Sequence, residues 1–324
     1  EAKFANYIGV DYAIAVNSGT AALHIALEAM GIRQGDEVIV PPMTFFATIS
    51  AVLYLNAVPV FADIDLDDFC LSPQSVEKRI TSKTKAVIPV HLFGAPAKMD
   101  NFLYLAERFN ISITEDCAQA HGSKFKGRTV GSIGHAGAFS FFATKHMTTG
   151  EGGAITTNDA TVAEKARIIR NHGMVSRDEH IVLGYNNRMT EIEAALGLVQ
   201  LAKLDELNAQ RILNSEYLIT EIEKLAWAIT PWVNRENTHT YFWCPLMVDE
   251  TKTDKKFEDL KEHLHSHGIG FRQRYREPLY RQPVLKKMGL DYSNIYLANT
   301  EAIAGKILGL PNHPDLTKHE LNRI

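Results

Sequence analysis

Short apolar runs alternate with segments of helical period through the first half of this chain. Ala13–Val16, Glu37–Val40, Val58–Phe61, Lys85–Val90, Ile111–Thr114 and Ala154–Thr157 read as strands, closed by small, polar or turn-forming residues. Between them Ala21–Met30, Thr44–Leu55, Met99–Phe109 and Ala160–Arg170 read as helices, and Ser72-Pro73 starts another with a cap and a first-turn proline. Ser123–Gly134 reads as a hairpin, and Asn171–Asn187 as a polar loop. A long helical pattern then runs from Thr190 to about Tyr217, with apolar positions at Ile192, Ala195, Leu196, Val199, Leu204 and Leu207. Strand and helix in alternation predict an α/β fold. After about Leu213 the pattern changes: Trp243–Val248 and Ile269–Arg272 read as strands, Asp254–Ser266 and Asn299–Leu308 as helices. The expected division is a large domain over 1–213 and a smaller α+β domain over 214–324.

Composition adds few constraints. The chain has 324 residues, 45% hydrophobic and 22% charged, which suits a water-soluble globular protein with a large core. A net charge of −4 without a basic run gives no nucleic-acid or acidic-membrane partner an obvious purchase. Val38–Ala62 carries no charge through Phe61, but Pro41, Pro42, Pro59 and Asn56 break it into core elements rather than a membrane span. Cys70, Cys117 and Cys244 are far apart and odd in number, as expected of reduced thiols in a cytoplasmic protein without a metal site. Glu1–Asn6 has no secretory-signal pattern, and the missing initiator Met leads us to expect residues upstream.

The candidate chemistry centres on Ala138–Gly153. An apolar run, Ala138–Phe142, is interrupted by Ser140 and delivers Lys145 into a loop of small residues. A lysine buried at the end of a strand would have a depressed pKa and be able to form a Schiff base, although a solvated loop lysine is by base rate the commoner outcome. Ser140 is placed to bind an anionic group on the same partner, and a ring bearing an aldehyde and a phosphate, such as pyridoxal 5'-phosphate (PLP), suits the pair. The strand Ile111–Thr114 leads to Asp116 and Gln119, at the strand end where open α/β sheets place ligands. Asp116 is a candidate partner for a pyridinium nitrogen, and Gln119 for a phenolic oxygen. A helix-capping Asp beside a solvent-facing Gln accounts for this pair equally well in isolation. Ser18-Gly19-Thr20 between a strand and a helix points amides at an anion, although such a turn is more often only a cap. Phe45, just past a strand, is placed to stack on a planar ring or to sit in the core.

With these residues in place, the chain resembles the DegT/DnrJ/EryC1/StrS family of PLP-dependent nucleotide-sugar aminotransferases, of fold type I. The likeness runs from Tyr7 to Leu316. It rests on Asn17–Leu23, Pro41–Thr48, Pro89–Gly94, Glu115–Gly122, the Lys145 segment and Gly184–Thr190. It implies a large domain with a mostly parallel seven-stranded sheet flanked by helices. It also implies that Lys145 carries PLP, with Asp116 on the pyridinium nitrogen, Gln119 on the phenolic oxygen and Phe45 stacked on the ring. The amides of Thr20 and Ala21 and the hydroxyl of Ser140 take the phosphate.

Asn186 falls in a loop that in this family reaches the partner subunit's phosphate, with Asn187 the alternative, so a homodimer with shared active sites is expected. Lys145 serves as nucleophile and general base. Glutamate is the expected amino donor and a nucleotide-linked keto sugar the acceptor, with His91, Arg272 and Tyr280 as candidate substrate contacts. Thr-Thr-Gly-Glu-Gly-Gly after the lysine resembles relatives that aminate C4 of 4-keto-6-deoxyhexoses. A 3-keto sugar, a keto-cyclitol or a non-catalytic regulatory role are the alternatives.

Overall fold

The computed structural model describes residues 1–324. The large sheet takes strands β1 (Tyr12–Val16), β2 (Glu37–Val40), β3 (Val58–Phe61), β4 (Thr84–Val87), β5 (Ser112–Asp116), β6 (Ala136–Ser140) and β7 (Gly153–Thr157). Their order is β1-β7-β6-β5-β4-β2-β3, and only β7 runs against the others. This is the expected seven-stranded, mostly parallel sheet. β6 and β7 are buried along their whole length, which is why neither shows an apolar–polar alternation.

The helices include α1 (Ala2–Ile8), α2 (Gly19–Ala29), α3 (Ala47–Tyr54), α4 (Met99–Phe109), α5 (Ala160–Arg170) and α6 (Glu191–Ile222). Apolar nearly all round, α2 is buried from Ala21 to Leu27 and packs against α3, α5 and the sheet. Thr190 and Glu193 cap α6 reciprocally, so this long helix starts where the sequence places it. It runs to Ile222, and the boundary expected at 213/214 lies inside it.

The remainder forms a four-stranded antiparallel sheet, β8 (Ala228–Ile229), β9 (Cys244–Val248), β10 (Arg272–Arg274) and β11 (Ile307–Leu310), in the order β8-β9-β11-β10. The helix expected over Asn299–Leu308 is corrected here. It spans only Ala298–Ile303; Gly305 then turns in the left-handed region, and Ile307–Leu310 becomes the strand between β9 and β10. The strand expected over Ile269–Arg272 is likewise shifted, to Arg272–Arg274. No helix is long and apolar enough to cross a membrane.

Candidate active site

The C-terminal ends of β1, β5 and β6 open on the same side of the large sheet, and the candidate residues gather there. Ser18 caps α2 by accepting from the Ala21 amide at 3.1 Å. That engages Ala21, one of the two amides expected to face an anion, and leaves those of Gly19 and Thr20 at the positive end of the helix. Ser140 lies directly against this end. A Cβ built on Gly19 would sit 2.6 Å from the Ser140 Cβ, so only glycine lets the helix terminus and the serine approach this closely. Amides, helix dipole and hydroxyl together make an anion cradle.

Asp116 ends β5 almost wholly buried. Its Oδ2 accepts from the Thr48 hydroxyl at 2.8 Å and its Oδ1 from the Ala118 amide at 3.1 Å. Because Thr48 spends its proton on Asp116, the 3.0 Å contact with Thr44 must be a bond donated by Thr44. Burial raises the Asp116 pKa, opposed by these hydrogen bonds and by the charge of Lys145. A cation brought beside this carboxylate would compensate the burial.

Lys145 follows β6 in a half-buried position. Burial lowers its pKa to about 8; the Arg274 charge acts in the same direction and Asp116 opposes it. Its Nζ lies 4.8 Å from the centre of the Phe242 ring, a contribution of the segment leading into β9. The amine therefore has a substantial neutral fraction near neutral pH and behaves as a nucleophile.

Gln119 is held at both ends: its Oε1 accepts from the Phe93 amide at 3.1 Å, and its Nε2 donates to the Tyr275 hydroxyl at 2.9 Å. Phe45 stands at the N-terminal approach to α3 and leaves 70% of its surface exposed, an open aromatic face rather than a core ring.

The candidate substrate contacts fare differently. His91 is fully buried; its Nδ1 accepts from the Ala97 amide at 3.0 Å, so its Nε2 carries the proton and donates to Glu115 at 3.0 Å. The other three hydrogen bonds to the Glu115 carboxylate come from the amides of Gly131, Ile133 and Gly134. The expectation that His91 touches substrate is corrected, because both nitrogens are committed to bracing the end of β5. The neighbouring thiol of Cys117 completes a buried trio with them, but the carboxylate and imidazole are already engaged.

Tyr280 is corrected in the same way. It is 5% exposed, packs edge-on against Phe61 and donates its hydroxyl to Glu301. Arg272 is exposed on β10 and makes no hydrogen bond or ion pair through its side chain.

Asn187 is tied to its own chain, its side chain accepting from Asn17 at 3.4 Å and its carbonyl from the Asn17 amide. The neighbouring Asn186 side chain is exposed and without a partner. The sequence reading missed Thr48, Tyr275, Phe242 and Arg274. Only Thr48 left a trace, four residues after Thr44 on one helical face.

The profile of the DegT/DnrJ/EryC1/StrS aminotransferase family matches residues 1–324. GDP-perosamine synthase of Caulobacter vibrioides is 38% identical over 327 residues, spanning 100% of this chain and 86% of that protein. DesV of S. venezuelae is 35% identical with a TM-score of 0.93, over 100% of this chain and 85% of its own. NtdA of Bacillus subtilis, solved with the cofactor PMP bound, is 28% identical with a TM-score of 0.89, over 99% of this chain and 73% of its own. A nucleophilic lysine, a buried carboxylate and an anion cradle on this fold are what PLP needs, and the chain belongs to the DegT/DnrJ/EryC1/StrS family of PLP-dependent aminotransferases.

Proposed function

We propose that this enzyme transfers an amino group from glutamate to a nucleotide-linked keto sugar, at C4 of a 4-keto-6-deoxyhexose. The observation that carries the reading is Lys145, a lysine after β6 whose pKa burial lowers to about 8, within Coulombic reach of the buried carboxylate of Asp116. The similarity to GDP-perosamine synthase supports a nucleotide-linked sugar, and the Thr148–Gly153 loop beside Lys145 supports C4.

Within this reading Lys145 would hold PLP and Asp116 its pyridine nitrogen, while Gln119 would serve the phenolic oxygen and Phe45 the ring face. Thr20 and Ser140 serve the phosphate, with Gly19 adding its amide. When bound, PLP supplies an electron sink for the carbon that loses its proton. Asp116 would favour a positively charged nitrogen at that end, because its carboxylate has no protein cation in direct contact. Thr44 and Thr48 fix the orientation of that carboxylate. The Lys145 amine would take a proton from the donor carbon when neutral and give it back as an ammonium, a role for which its lowered pKa suits it.

A homodimer with shared sites is part of the proposal. Leu183 and Ile192 are 78% and 84% exposed, and Leu196 and Val199 continue the Ile192 face of α6. Asn186, exposed beside them, is the residue offered to the partner's phosphate. Mixing inactive Lys145→Ala and Asn186→Asp subunits should restore part of the activity, because hybrids hold one intact site. Subunit exchange without recovery would contradict shared sites. For the substrate, turnover is compared on 4-keto and 3-keto sugars carrying the same nucleotide, with glutamate as donor. A preference for the 3-keto sugar would overturn the C4 assignment alone.

A further inference from the structure

His146, the residue after the nucleophile, is 3% exposed, and its Nε2 lies 3.2 Å from the Thr240 carbonyl oxygen. A carbonyl only accepts, so Nε2 carries the proton and donates it. Nδ1 is buried without a partner. Burial, with His121, Arg211 and Lys145 adding to it, holds the imidazole well below the usual histidine range, so the ring is neutral and its single N–H is fixed. The ring stands between two others, 5.5 Å from that of His121 and 5.6 Å from that of Phe242. The Lys145 Nζ lies 4.8 Å from the centre of that same Phe242 ring.

Thr240 belongs to a segment braced from several sides. Its amide donates to the Gly94 carbonyl at 3.3 Å. Ser123 spends its proton on the same carbonyl at 2.8 Å, so the 2.7 Å contact between Ser123 and Thr240 is a bond donated by the Thr240 hydroxyl. Tyr241 stands in the left-handed region, an unfavourable conformation for a tyrosine. It is kept there by bonds on both sides: its amide donates to His239 Nδ1 at 2.9 Å, and its carbonyl accepts from the Asn312 side chain. The lysine loop has no such bracing. Ala143–Met147 make two hydrogen bonds, one within the turn from the Lys145 amide to the Phe142 carbonyl at 3.0 Å, the other from His146 to Thr240. Only the second leaves the loop.

We propose that His146 is a positioning residue: by donating to Thr240 it ties the Lys145 loop to the braced Thr240–Phe242 segment and so holds the lysine amine against the Phe242 ring. This rests on Lys145 being the amine that takes the cofactor. A ring that merely filled space would need no N–H. Without the bond the loop can swing outward and water reaches the amine. Burial is what lowers the Lys145 pKa, so that pKa then climbs back towards an ordinary lysine's.

The test follows PLP capture by the cofactor-free protein at pH 7 and pH 10, read as label on Lys145 after borohydride reduction, with urea unfolding to check the fold. His146→Phe keeps a ring and loses the donor. It should slow capture about 10-fold at pH 7, as a rise of about one unit in the Lys145 pKa requires, and by no more than about 2-fold at pH 10, where the amine is mostly neutral either way. His146→Gln carries an amide N–H out to where Nε2 stands and should stay within about 3-fold of wild type at both pH values. His146→Asn stops short of Thr240 and should behave like the Phe variant. Should the Phe variant not fold, Asn against Gln decides. Unchanged capture in the Phe or Asn variant, equal slowing at both pH values, or a Gln variant no better than Asn would overturn the proposal while leaving the cofactor reading intact. A wild-type protein that captures no PLP on Lys145 would overturn both.

Discussion

Replacing Gly19 by alanine tests the phosphate cradle with a single carbon atom. The added Cβ would lie 2.6 Å from Ser140 Cβ, 3.1 Å from its Cα and 3.3 Å from its Oγ. Carbon atoms rest at about 3.5–4.0 Å, so something must move by about 1 Å. Ser140 cannot easily yield, because β6 is held by β5 on one side and β7 on the other. The helix terminus must therefore back away. Alanine's helical preference stabilises by up to about 1 kcal/mol, while overpacking costs about 1–3 kcal/mol, so a net loss of about 1 kcal/mol in urea unfolding is expected. The larger effect falls on the cofactor. A 1 Å retreat takes the Gly19 and Thr20 amides out of reach of a phosphate, and one charged hydrogen bond is worth about 1.5–3 kcal/mol. PLP affinity should then fall by about 10–100-fold relative to pyridoxal, which lacks the phosphate. The double variant Gly19→Ala/Ser140→Gly removes the 2.6 Å contact but leaves the one at 3.1 Å to the Cα, so it should recover only part of the stability, and not PLP affinity, since the hydroxyl is gone. An unchanged ratio of PLP to pyridoxal affinity in Gly19→Ala would refute the cradle.

Two further outcomes follow from the same geometry. With a Lys145 pKa of about 8, capture of PLP by the cofactor-free protein should accelerate with pH through 8 and level off above it, because the neutral amine is the reactive form. At pH 7 that leaves about 10% of the amine neutral, against about 0.03% for an ordinary lysine; a rate still climbing beyond pH 9 would contradict the lowered value. Asp116→Asn should still bind cofactor, seen by absorbance, while kcat falls by about 10²–10³-fold, since an amide cannot hold the pyridinium charge. Retention of most of the rate would remove Asp116 from that role.

What the sequence determined by itself is what local pattern and short motifs encode. β6 delivering Lys145 into a loop of small residues was readable, because a strand buried on both faces leaves an apolar run, broken here only by Ser140. Ser18 before an alanine-rich helix was readable as a turn and a cap. The tertiary structure alone decided which polar atoms are still free: Ser18 takes the Ala21 amide, Glu115 takes His91, and Glu301 takes Tyr280. No local rule reveals that a candidate donor is already engaged by a residue distant in sequence.

The small sheet shows the same limit. Ala298 to Leu310 carries apolar residues that suit a helix or a strand, and only pairing with β9 and β10 made its second half a strand. The register of β10 likewise decided which basic residue reaches Trp243. Arg272 and Arg274 share one strand face, but Arg274 is the one laid on Trp243, a ring from another strand segment that Gly309 leaves room for. That contact joins residues some thirty positions or more apart, and such contacts come into being only when the sheet closes.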